Sequence, residues 1–156
     1  MPPIPGHRQP MSPIAEHVEV VFPDDGGCFG CSPSNPRGLA LRFRRVGQDI
    51  HVGYTIPDGF HGAPGIAHGG IVAALLDEVS CALVALVLDQ RVVTGELTVR
   101  YERPVPVEVP LELVARATSR QHARYVVIEA EVRRDGERLA RSTGKFFYQE
   151  RRHTAP

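Results

Sequence analysis

The sequence predicts an α+β fold: a curved antiparallel sheet of five to six strands wrapped around one long central helix. Three observations point there. The segment from His68 to Leu88 is apolar at helical spacing, holds no proline, and has glycine only in its first turn. Runs of alternating apolar and polar residues stand on both sides of it. The pair Asp135-Gly136 lies between two such runs, where a two-residue hairpin turn belongs.

Each element follows in chain order. Residues 1–15 are rich in proline and aperiodic, and they predict a disordered tail. Residues 23–38, PDDGGCFGCSPSNPRG, form turns almost throughout and predict an ordered loop. Leu39, Leu41 and Phe43 then share one face, and Ile50, Val52, Tyr54 and Ile56 share another. Val46-Gly47-Gln48-Asp49 joins these two strands as a hairpin. A Pro/Gly loop over 57–67 leads into the helix. Four strands follow as a meander, at about 91–103, 110–119, 124–134 and 138–149. No repeat or second domain is visible, so a single domain is expected over 16–150, with a short tail over 151–156.

Composition narrows the function classes. The chain has 156 residues, 42% of them apolar, and its 18 basic and 18 acidic residues cancel. A balanced charge gives no support to a nucleic-acid or membrane-surface partner. Residues 71–88 are long enough to span a bilayer, but Asp77 and Glu78 sit near the centre. Each would cost roughly 2.5–3.5 kcal/mol there. A buried helix is the better reading, and no membrane partner is expected. The N-terminal residues carry no apolar signal core, so a cytoplasmic location is expected.

The helix is apolar nearly all round. Ile71, Leu75, Val79, Ala82 and Leu86 form one stripe; Ala73, Asp77, Cys81, Val84 and Leu88 form a second, roughly opposite. One sheet covers only part of such a helix. The face carrying Asp77 needs another surface, most simply a second copy of the chain, and a homodimer or a dimer of dimers is expected.

His68-Gly69-Gly70 opens the helix. The first N–H groups of a helix have no internal partner, and the dipole adds to their pull on an anion. Glycine lets a ligand approach that backbone closely. Asp77 follows His68 by nine residues, about 13 Å along a helix, too far for both to act on one atom within one chain. Spacing alone leaves two readings open. His68, Gly69 and Asp77 form a site shared between two chains, or they are a cap, a tight turn and an ion-pair partner.

The stretch from Pro64 to Glu78, with His-Gly-Gly and an acid nine residues after the His, resembles the signature of the hotdog-fold acyl-CoA thioesterases. The branch is that of the phenylacetate-pathway and 4-hydroxybenzoyl-CoA thioesterases. Cys28-Phe29-Gly30-Cys31 with Asn35-Pro36-Arg37-Gly38-Leu39, the strand from Thr94 to Pro106, and Ser142-Thr143-Gly144-Lys145-Phe146 are similar too. Together these pieces cover residues 28–148 in order. The resemblance implies a hotdog fold and hydrolysis of an acyl- or aryl-CoA thioester to the free acid and CoA. It implies Asp77 as nucleophile or general base, Gly69 N–H as the group that polarises the carbonyl, and His68 as its positioner, with acid and donor on different subunits. Thr94 matches a position that holds the attacking water. Gly70 would line the substrate site, and His61 would stand in for a polar residue that relatives carry before the His-Gly-Gly. No cofactor is implied. The alternative is a non-catalytic acyl-CoA or lipid-binding module of the same fold. A hydratase reading wants an acid about fourteen residues after His61, near Leu75, where none occurs.

Three further features stand outside that core. Arg120 and Arg124, at a hairpin turn with His122, are either a solvated turn or a recognition site for the phosphates of coenzyme A. Glu78, about 100° around the helix from Asp77, reads as a structural ion-pair partner. Cys28-x-x-Cys31 has no second cysteine pair to complete a four-ligand zinc site, and Cys81 belongs to the helix core, so no metal is expected.

Overall fold

The computed structural model describes residues 18–20, 24 and 26–150. The tails expected over 1–15 and 151–156 lie outside the described residues. Seven strands, β1 (Val18–Val20), β2 (Phe43–Val46), β3 (Asp49–Thr55), β4 (Val92–Tyr101), β5 (Pro110–Gln121), β6 (Tyr125–Arg134) and β7 (Glu137–Tyr148), build one antiparallel sheet. Its order is β1-β2-β3-β5-β6-β7-β4. A single helix, α1 (Gly69–Leu86), packs against β3, β4, β5, β6 and β7. One long helix in the hollow of a curved antiparallel sheet is the α+β hotdog arrangement.

The core forms where the apolar faces meet. Val72, Leu75, Leu76, Val79, Ala82, Leu83 and Val84 of α1 are fully buried against Ile50, Val52, Leu113, Ile128, Val132 and Phe146 of the sheet. By length and mean hydropathy α1 could cross a membrane, but here it is the core helix. Its less covered side is one continuous strip: Gly70, Ala73, Ala74, Asp77, Glu78, Cys81 and Ala85. Apart from the two acids, these residues are small; Ile71 and Leu86 are the large side chains of α1 left partly exposed. Val84, expected beside Asp77, turns into the core instead.

Four sequence expectations change. The sheet has seven strands rather than five or six, because three residues at 18–20 pair with Phe43–Arg45. The first predicted strand begins at Phe43 rather than Leu39. Leu39 and Leu41 are buried as expected, but their N–H groups bond to the carbonyls of Phe29 and Gly30 at 2.6 and 2.9 Å, so this stretch pairs with the cysteine loop instead of a strand. The four strands after the helix are not a meander. β5, β6 and β7 are, but β4 pairs with β7 from Val92↔Tyr148 to Tyr101↔Ala140 and forms the far edge, while β5 pairs with β3. The chain leaves α1 at that edge and returns to β5 past the start of the helix, where Val105 O accepts from Ala67 N and Val107 N donates to Gly65 O. Finally, the loop at 57–67 holds a 3-10 turn, Asp58–Phe60, and an isolated bridge between His61 and Ala67.

Both predicted hairpins are present. Gly47, and Asp135 with Gly136, take positive φ at 62°, 50° and 80°. The last pair is the mirror-image turn that matches the twist of paired strands.

Leu75 is fully buried at the middle of α1. Leu75→Ala should cost about 2–5 kcal/mol of stability, measured by urea unfolding; a loss under about 0.5 kcal/mol would mean that this helix face is not the core.

Candidate active site

His68 caps α1: its Nδ1 accepts from Gly70 N at 2.9 Å, and its carbonyl accepts from Ile71 N and Val72 N. With Nδ1 accepting, the neutral ring carries its proton on Nε2. The neighbouring amides are also engaged. Ala67 N donates to Val105 O and His68 N to Phe60 O, both at 2.8 Å. Among the described residues, the N–H of Gly69 alone in this turn has no acceptor, so the helix start presents one donor outward. Tyr101, at the last position of β4, donates its hydroxyl to Gly69 O at 2.6 Å and fixes the glycine from the far side.

Asp77 lies two turns along, half-buried on the uncovered strip. Thr94 donates its hydroxyl to Asp77 Oδ1 at 2.7 Å, and the Cys81 thiol lies 3.6 Å from the same hydroxyl. A bulge builds this contact. Thr94 faces Phe146 and Glu96 faces Lys145, which leaves Gly95 as the extra residue. Only glycine fits there, since a Cβ at 95 would collide with the Phe147 ring. β4 thus touches α1 at both candidate groups, through Thr94 at one end and Tyr101 at the other.

Residues 64–141, half of the chain, match the family model described as the Thioesterase superfamily. The chain belongs to the thioesterase superfamily. Solved structures agree. A thioesterase superfamily protein is similar over 74% of this chain at 26% identity and TM-score 0.68, and the chain spans 57% of that protein's length. A phenylacetic acid degradation-related protein from Ralstonia eutropha JMP134 is similar over 70% of this chain and 85% of its own, at 25% identity and TM-score 0.63. A thioesterase protein from Streptococcus pneumoniae TIGR4, solved with coenzyme A, shares the fold over 65% of this chain and 78% of its own, at 20% identity and TM-score 0.59. No curated protein matches the chain by sequence.

The remaining predicted residues of this superfamily member fall into two groups. His61 sits before the helix, and its Nδ1 lies 2.7 Å from Asp58 O and 3.4 Å from the Asp58 carboxylate, so that nitrogen is engaged by Asp58. Gly70 is exposed in the first turn, its N–H held by His68. Arg120 and Arg124 flank the β5–β6 turn, both exposed. Among the described residues, no carboxylate pairs with either guanidinium. They lie at the Thr94 end of the sheet, because Tyr125 pairs with Phe147 and Phe147 with Val93.

Among the described residues, Glu78 has no cationic partner. It points into the loop of Cys28 and Cys31, and burial raises its carboxyl pKa, with the Asp77 charge adding and the two thiols opposing. Burial likewise pushes the Cys81 thiol up to about 12. Sequence reasoning assigned no role to Tyr101, and no local signal marks it; its meeting with Gly69 depends on the β4–β7 register.

Tyr101→Phe removes the donor to Gly69 O. It should lower stability by about 0.5–1.5 kcal/mol in urea unfolding, and an unchanged midpoint would show that the bond does not form in solution.

Proposed function

We propose that this chain is an acyl-CoA thioesterase, hydrolysing an acyl- or aryl-CoA to the free acid and CoA in sites shared by two subunits. One observation carries the reading. α1 presents one unengaged N–H at Gly69 and one carboxylate at Asp77, and eight residues of helix hold them about 12 Å apart. No single carbonyl spans that distance. Two copies of the small-residue strip laid against each other would bring the Asp77 of one chain to the Gly69 of the other and would cover both strips. The same contact would cover β4, a ten-residue strand at the end of the described sheet on which Val93 is 48% and Tyr101 50% exposed.

The chemistry follows from these groups. Gly69 N–H, aided by the helix dipole, donates to the thioester carbonyl and strengthens as negative charge grows on that oxygen. Thr94 holds Asp77 Oδ1, which leaves Oδ2 to act. Asp77 either takes a proton from water as the water attacks, or attacks the carbonyl itself and forms an anhydride that water then opens. In both routes the C–S bond breaks and CoA leaves as the thiolate, a good leaving group. Arg120 and Arg124 supply positive charge for its phosphates. Coenzyme A in the Streptococcus pneumoniae relative of the same fold agrees with that substrate class.

Two variants test the division of labour. Asp77→Asn should lower thiol release from acyl-CoA by about 10²–10⁴-fold. Gly69→Pro should lower it by about 10²–10³-fold, because proline is accepted at the first helical position but lacks the N–H. The backbone before it suits a proline, with His68 at φ −59° and ψ 133°. Unfolded together and refolded as a mixture, the two inactive variants should regain activity, since a mixed dimer holds one site with both groups intact. No recovery in verified mixed dimers would sink the shared site. Acyl-CoA binding without thiol release in the unaltered protein would favour the non-catalytic module.

A further inference from the structure

The loop at residues 28–31 and α1 meet at a cluster that the thioesterase chemistry does not use. Cys28 Sγ, Cys31 Sγ and a Glu78 carboxylate oxygen all lie within 4.8 Å of one another. The Cys31 thiol is 2.8 Å from Cys28 Sγ, and Cys28 Sγ is 3.8 Å from Glu78 Oε1. None of the three cysteines is in a disulfide. We propose that Cys28, Cys31 and Glu78 form a metal site of the zinc class that clasps the 28–31 loop to the central helix.

Donor chemistry, preorganisation and access support it. Two thiolates and a carboxylate are a zinc donor set, and a cysteine pair with two residues between is the usual half of such a site. The backbone is already folded around a sulfur ligand. Cys31 N donates to Cys28 Sγ at 3.2 Å, and Ser32 N donates to Cys28 O at the same distance. Leu39 and Leu41 hold the loop from behind through Phe29 O and Gly30 O. Gly30 makes the third ligand fit, because a Cβ there would collide with the Glu78 carboxyl. Zinc–ligand bonds of about 2.0–2.3 Å place tetrahedral donor atoms roughly 3.4–3.8 Å apart. The thiol–carboxylate distance already meets that range, and the sulfurs need only part by about 1 Å. A fourth position faces a cleft that Cys31 and Glu78 share with Cys81 and Arg91, where water can complete the shell. Binding releases the thiol protons to solvent and sets two thiolates and a carboxylate around the divalent ion. The site does not depend on the thioesterase reading.

Cobalt(II) is the probe. Full-length protein, reduced and freed of metal, should bind about one Co²⁺ per chain, with a thiolate-to-cobalt charge-transfer band and the intense visible bands of a four-coordinate ion. Zn²⁺ should displace it and raise the melting temperature. Glu78→Gln and Gly30→Ala, both folded by circular dichroism, should each weaken Co²⁺ binding by more than about tenfold, the loss that even an outer partner of a metal ligand can cause. Cys28→Ser should abolish the charge-transfer band or diminish it. The proposal is overturned if reduced wild-type protein takes up no cobalt, if the bound cobalt shows no thiolate band, or if Glu78→Gln binds it as tightly as wild type. A Cys28–Cys31 disulfide that persists under the reducing conditions and excludes the ion overturns it as well.

Discussion

A helix apolar on nearly every side, covered by its sheet on only one, sets the rest of this structure. The buried side holds the large residues Leu75, Leu76, Leu83 and Val79, and the sheet curves to meet them. The other side could not carry large apolar residues without exposing them. It carries Gly70, Ala73, Ala74, Cys81 and Ala85 instead. Small residues do two things there. They limit the apolar area left in water, and they let another backbone come close. Asp77 and Glu78 are the exceptions on that strip; Thr94 satisfies one oxygen of Asp77, and Glu78 turns to the cysteine loop. Asp77 is thus a half-buried carboxylate with one oxygen held by a side chain of the sheet.

β4 gives both candidate groups of this helix a polar partner. It runs beside α1 at the sheet's edge, packs Leu97 and Val99 against the core, and reaches the helix through two side-chain hydrogen bonds. The bulge at Gly95 aims Thr94 at Asp77, while Tyr101 holds the Gly69 peptide. An edge strand can take a bulge more readily than a central one, because only one ladder is disturbed. The position that suits β4 for aiming side chains also leaves its outer edge, among the described residues, without a paired strand. Edge position, bulge and exposed apolar residues thus share one cause: β4 crosses to the far side of the sheet instead of joining the meander.

How much of this the sequence shows depends on whether the information is local. The helix from Gly69 to Leu86, the cap at His68, the turn at Asp135-Gly136 and the buried faces of β2 and β3 are all written in short-range patterns, and each is legible. β1 is not, since three residues give no period. The place of β4 is not, since which strands pair is decided across fifty or so residues. The same limit hides the partners of the candidate groups. Asp77 is visible as an acid in an apolar run, but its bond to Thr94 needs the bulge. Tyr101 is visible only as a strand residue. Glu78 reads as an ion-pair partner because its real neighbours, Cys28 and Cys31, lie about fifty residues earlier and meet it only through the fold.

The adjacency of Asp77 and Glu78 is what links the two halves of the molecule. Consecutive helical residues point about 100° apart, so the pair addresses two surfaces at once: β4 on one side and the cysteine loop on the other. Placed on one face, the two carboxylates would repel and compete for the same donor. Placed as they are, each has its own partners, Thr94 for the first and the thiols for the second. The loop at 28–31 also holds Leu39 and Leu41, which lead into β2. Whatever fixes Glu78 in that loop therefore fixes the rotation of α1 about its axis, and with it the direction in which Asp77 faces. The acid on the open strip is aimed by its neighbour in the chain.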